Sequence, residues 1–109
     1  MVERFNSFAE FWPYYLREHG APGTRALHYV GTSLALLLLL GFIALGDWRL
    51  LVAAPFAGYG FAWFAHAFVE RNRPATFTYP LWSLRGDFYM LYCWATGRLG
   101  AELERARPA

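Results

Sequence analysis

Ala26 to Gly46 reads A-L-H-Y-V-G-T-S-L-A-L-L-L-L-L-G-F-I-A-L-G, 21 residues with no formal charge and a leucine run from Leu36 to Leu40. A helix rises about 1.5 Å per residue, so a hydrocarbon layer about 30 Å thick takes roughly 20 residues to cross. The stretch has that length and composition, which predicts a membrane-spanning helix over 26–46. Leu50 to Val69 is a second uncharged run, of 20 residues, and predicts a second spanning helix over 50–70. Only Gly46-Asp47-Trp48-Arg49 lies between them, a tight turn with an interfacial Trp, so the two form a helical hairpin. Gly58, Ala62 and Ala65 would let the neighbouring helix approach closely, and Gly31-Thr32-Ser33 reads as close packing because the spacing of a nucleotide loop is absent.

The bulk composition agrees. The chain has 109 residues, 57% hydrophobic and 17% charged, where an average soluble chain carries roughly 25% charged residues. A single membrane domain over 1–109 follows. A net charge of +2, with its Arg residues scattered between apolar runs, excludes a nucleic-acid footprint. One cysteine, Cys93, excludes an intramolecular disulfide. So short a chain buries little core by itself, which leaves room for a homo-oligomer.

The flanks are amphipathic. Over 2–18, Phe5, Phe8, Ala9, Trp12, Tyr15 and Leu16 fall at helical spacing, predicting a helix that lies in the interface or covers the others. Pro13 should kink or divide it. The N-terminus lacks the apolar core and cleavage site of a signal peptide, so it is expected to stay attached. His19 to Gly23 then breaks the pattern. The third helical segment, 80–104, is rich in Trp, Tyr, Phe and Leu but interrupted at Arg85-Gly86-Asp87, so it spans, breaks or re-enters. The tail from Ala101 to Ala109 reads as a fraying helix end. The fold class is therefore all-α: a small integral membrane bundle of an interfacial helix, a spanning hairpin and a further long or broken helix.

The hairpin carries a geometric consequence. His28, early in the first spanning helix, and His66, late in the second, lie at one face and at similar depth. His19 precedes the first helix on that face; Glu70, Asn72 and Asp87 follow the second. Arg4, Arg17, Arg25, Arg71 and Arg73 also lie there, against Arg49 alone in the opposite turn, so this face is cytoplasmic, in the inner membrane if the source is bacterial. His66 and Glu70, four apart, share a helix face. An imidazole-rich set with a carboxylate suits iron, zinc, copper or manganese rather than calcium or magnesium. Ionisable groups at the margin of a spanning segment are a functional-site hypothesis by default.

Blander readings stand beside these. A single His at a membrane boundary is commonly an amphipathic ring at headgroup depth. The Trp and Tyr residues are mostly belt and packing groups. Arg25, Arg71 and Arg73 serve equally as anchors, and Arg85 and Asp87 could neutralise each other. Ser83 and Cys93 have no base at recognisable spacing, which argues against covalent catalysis.

Three blocks carry a family resemblance: R-A-L-H-Y-V-G-T (Arg25 to Thr32) preceded by His19, H-A-F-V-E-R-N-R-P-A-T-F (His66 to Phe77), and Y-P-L-W-S-L-R-G-D-F-Y-M (Tyr79 to Met90). In this order they resemble the 2-hydroxy fatty acid dioxygenase family, small membrane proteins whose yeast member is an Fe(II)-dependent enzyme of phytosphingosine breakdown. The resemblance runs from Phe5 to Arg98. It implies Fe(II) as cofactor, a long-chain 2-hydroxy fatty acid and O2 as substrates, membrane lipid as surroundings, and a product acid one carbon shorter. On it, His19, His28 and His66 would ligate iron, with Glu70 as a fourth ligand or an orienting group. Arg25 or Arg73 would pair with the substrate carboxylate, and Asn72 and Asp87 would support the site. Two readings from other classes remain: a non-catalytic scaffold or lipid-binding protein, and a zinc-dependent hydrolase of lipid headgroups.

Overall fold

The computed structural model describes residues 5–107, all helix and turn, with no strand among them. Val2 to Arg4 of the N-terminal segment, and Pro108 and Ala109 of the tail, lie outside the described residues. Helix α1 spans Phe8–Arg17, α2 Pro22–Leu45, α3 Trp48–Ala65, α4 Pro80–Ala95 and α5 Leu99–Ala106. A π-helical turn, His66–Glu70, prolongs α3, and a short 3₁₀ turn, Ala75–Phe77, precedes α4. The chain divides into two compact units, one running from Ala21 to Pro74 and the other made of the residues up to Gly20 together with those from Ala75 onward.

The first of these units is the hairpin. Pro22 sits in the first turn of α2, where its missing N–H costs nothing. Gly46 ends the helix at φ 69°, in the left-handed region, its N–H bonded to Phe42 O at 2.7 Å. Asp47 then caps α3 by accepting from Arg49 N–H at 3.0 Å. The helices meet through small residues. A Cβ on Gly31 would lie 2.8 Å from Phe61 Cβ and 3.1 Å from Gly58 O, and one on Gly58 would lie 3.6 Å from Ala35 Cβ. Ala54, Ala62 and Ala65 are buried, while Leu37, Ile43, Leu45 and Phe56 face outward, each at least 66% exposed. So continuous an apolar exterior suits lipid and not water. Both α2 and the length from Trp48 to Glu70 are long and apolar enough to cross a membrane.

The second unit is built on aromatic packing. Ser7 caps α1 by accepting from Glu10 N–H, and Glu10 reaches back to accept from Asn6 N–H, each at 3.2 Å. The buried face of α1 is Phe11, Trp12, Tyr15 and Leu16. Phe11 packs on Tyr79 and Trp82 with ring centroids 5.3 and 5.8 Å away. Pro13 sits inside α1, which continues through it as one helix.

Helix α4 runs unbroken through Arg85-Gly86-Asp87. The interruption read from those residues is a packing feature: a Cβ on Gly86 would come within 2.8 Å of the Tyr15 ring. Arg85 lies over the Phe8 ring at 4.2 Å, a cation–π contact, and Asp87 accepts from Tyr15 OH, so the two charges have separate partners. Gly97, φ 76°, follows the end of the helix and turns the chain, with Arg98 N–H on Cys93 O at 2.8 Å. The tail packs where fraying was expected. Trp12 Nε1–H donates to Glu102 at 2.8 Å, Arg17 donates to Ala106 O at 3.3 Å, and Leu99 and Ala106 are buried.

Candidate metal centre

Each histidine is held by the turn that precedes or follows it. His28 lies on α2, and its Nδ1 is 2.9 Å from Thr24 O, one turn back. His19 follows the C-terminus of α1, where last-turn carbonyls lack intrahelical amides, and its Nδ1 is 2.6 Å from Tyr15 O. His66 opens the π turn, and its Nδ1 is 2.6 Å from Asn72 Oδ1. A carbonyl oxygen only accepts, so in all three rings Nδ1 carries the proton and Nε2 carries the lone pair. Ligating imidazoles are prepared for a metal in this way.

The π turn aims His66. Arg71 caps it in the left-handed conformation, φ 61°, which is uncommon for a residue with a side chain. That conformation folds the chain back, so the N–H groups of Arg71 and Asn72 both reach His66 O, the latter at 2.9 Å. The Asn72 side chain then meets the His66 ring. Short π segments inserted in α-helices are frequent at functional sites.

Within the hairpin unit, the rings of His28 and His66 stand 5.1 Å apart, centroid to centroid, and perpendicular. Both are buried. Glu70 reaches the start of α2, where its Oε1 accepts from Ala21 N–H at 2.8 Å. A carboxylate there satisfies an orphan amide and complements the helix dipole. Arg25 is half-buried on α2, and Arg73 is exposed beyond Asn72.

Within the other unit, Tyr15 organises His19. The two rings stack with centroids 4.0 Å apart, and the Tyr15 hydroxyl donates to Asp87 at 2.5 Å. Burial pushes the Asp87 carboxyl up to about 7, against the opposing pull of the Tyr15 hydrogen bond. Asp87 thus bears on His19 through Tyr15. The sequence reading missed Tyr15 and Thr24. The signal available for both was their place four residues before a histidine.

His19, His28 and His66 are buried, and one ligand atom of each lies within 4.8 Å of the others, so the group could bind a metal ion. Glu70 and Asp87 are not in that group. Three neutral imidazoles suit iron, zinc or copper.

An apolar groove of about 330 Å³ opens on the hairpin, lined by Leu27, Phe56, Gly60, Phe61 and Phe64. Leu27 adjoins His28, and Phe64 lies two residues before His66. From Phe64 to Phe56 the groove follows α3 for about 12 Å.

A family model described as 2-hydroxy-palmitic acid dioxygenase Mpo1-like matches residues 5–99. No curated protein and no solved structure matches the chain.

Proposed function

The chain belongs to the 2-hydroxy-palmitic acid dioxygenase Mpo1-like family, and on that premise we propose that it is an iron-dependent dioxygenase that shortens long-chain 2-hydroxy fatty acids by one carbon. The observation that carries the reading is the common state of the three histidines: each buried, each with Nδ1–H held by a carbonyl oxygen. A histidine that merely sits at headgroup depth has no need of that arrangement.

The reaction balances without an added reductant. A 2-hydroxy acid and O2 give the acid one carbon shorter, carbon dioxide and water, with the substrate supplying all four electrons that the oxygen takes up. His19, His28 and His66 would hold the iron, which would supply Lewis-acid and redox chemistry toward the hydroxy acid and dioxygen. The chain's own residues do the rest. Asn72 orients His66, Tyr15 and Asp87 orient His19, and Glu70 holds the start of α2 in place. Arg25, one residue beyond Thr24, is the cation we assign to the substrate carboxylate, with Arg73 farther out toward the headgroups. The groove beside Leu27 and Phe64 takes the acyl chain, which favours a fatty substrate over a small polar one. The excess of arginine at the histidine end of the hairpin supports a site at the cytoplasmic face.

The test is metal analysis of protein purified anaerobically, followed by oxygen uptake on addition of 2-hydroxypalmitate. The expected result is about one iron per chain, with uptake matched to the fifteen-carbon acid. Zinc without oxygen uptake would replace the reading with a lipid hydrolase. Absence of metal after reconstitution with iron would leave a scaffold.

A further inference from the structure

The Thr24 hydroxyl is a polar group that the hydrogen bonding of the hairpin does not use. The residue is wholly buried, 0% exposed, and its Oγ1 has no hydrogen-bond partner among the described residues. A threonine on a helix ordinarily relieves its hydroxyl by bonding back to a carbonyl of the preceding turn, and an unpaired buried hydroxyl opposes folding. Its place is specific. Thr24 precedes His28 by four residues, so the two side chains share one face of α2, and the Thr24 carbonyl fixes the His28 ring. The adjoining Gly23 puts this first turn of α2 against the π turn that carries His66, since a Cβ there would lie 3.5 Å from Val69 Cγ1.

We propose that the Thr24 hydroxyl is the hydrogen-bond partner of the substrate's 2-hydroxyl group, and so the residue that separates a 2-hydroxy acid from an ordinary fatty acid. The inference rests on the dioxygenase reading and names a recognition element within it. A threonine hydroxyl both donates and accepts, which matches a neutral hydroxyl, while the half-buried Arg25 next to it matches the carboxylate. A buried polar group left without its partner rejects the analogue that lacks that partner, which is the strongest form of small-group discrimination available to a binding site. Thr24 is a positioning residue. It holds the substrate and takes no part in the oxidation.

The experiment compares wild type, Thr24→Val and Thr24→Ser in detergent, with three readouts. The first is iron content, the second the melting temperature of the metal-free protein, and the third the affinities of the iron-loaded protein, without oxygen, for 2-hydroxypalmitate and for palmitate. The proposal expects equal iron in all three. Metal-free Thr24→Val should melt about 4 °C or more above wild type, because an unpaired hydroxyl has been replaced by a methyl of the same shape. Its preference for 2-hydroxypalmitate over palmitate should fall about tenfold, and Thr24→Ser should restore it. A lower melting temperature for Thr24→Val overturns the proposal, since the hydroxyl then has a structural partner. An unchanged preference, or equal weakening of both acids, also overturns it, the latter because the contact is then to the carboxylate. If wild type takes up no iron, the dioxygenase reading itself falls, and this assignment falls with it.

Discussion

Both ends of the hairpin hold polar residues, in opposite conditions. At the turn, Asp47 and Arg49 pair with each other through two side-chain bonds of 3.0 and 2.9 Å, with the guanidinium 75% exposed. The Arg49 guanidinium holds the Asp47 carboxyl below its usual range. That pair closes a turn and is satisfied where it stands, and an exposed pair of this kind contributes little to stability. At the other end, Thr24, His28 and His66 are buried, and the two imidazoles are fixed in direction by neighbours. Polarity near a membrane boundary is therefore not informative by itself. What marks a site is polarity that is buried and oriented without being consumed by the fold.

The largest effect that would break this contrast comes from exchanging the ends. His66→Ala should lose metal and reduce turnover by at least about 100-fold, while Asp47→Ala should leave both near wild type. Metal content and oxygen uptake measured on the same preparations decide it, and equal losses in the two variants would erase the distinction. A smaller effect is expected one step out from the metal. Asn72→Ala keeps all three imidazoles but removes the acceptor that sets the His66 tautomer, so metal affinity should fall about tenfold or more. A chelator competition titration reads this directly.

The smallest of the three extends the comparison to a second carboxyl. Asp87, in contrast to Asp47, has its pKa raised, from 3.8 to about 7, by burial. The folded protein therefore holds the Asp87 proton more tightly than the unfolded chain does. That contribution to stability is complete below about pH 4 and is lost as the pH rises through 7. Melting temperature should decline across that window, and Asp87→Asn, which keeps a neutral group in place, should flatten the decline. A variant with the wild-type slope would assign the pH dependence elsewhere.

How far the sequence could be read follows from how local each feature is. The hairpin was legible because two uncharged runs of spanning length admit few other structures, and the juxtaposition of His28 with His66 follows from helix direction and depth alone. The π turn was not. His66-Ala67-Phe68-Val69-Glu70 has no compositional mark that separates an i→i+5 turn from an α turn, and Arg71 is not a residue that announces a left-handed backbone. Spacing put Glu70 on the helix face of His66, and its carboxylate is bonded to the amide of Ala21, a partner that spacing does not report. Which of the alternatives held at Arg85-Gly86-Asp87 was decided by a tertiary contact. Glycine there makes room for the Tyr15 ring, and no local pattern can report a contact to a residue 71 positions earlier.

The π turn also bears on how this chain can vary. Substitutions between Ala67 and Glu70 keep the path of the backbone and so the meeting of Asn72 with His66. Loss or gain of a single residue there does not, because His66 and Asn72 are joined by a count of residues as much as by their chemistry. The segment from His66 to Asn72 acts as a ruler, and its tolerance to mutation should be read in length before it is read in composition.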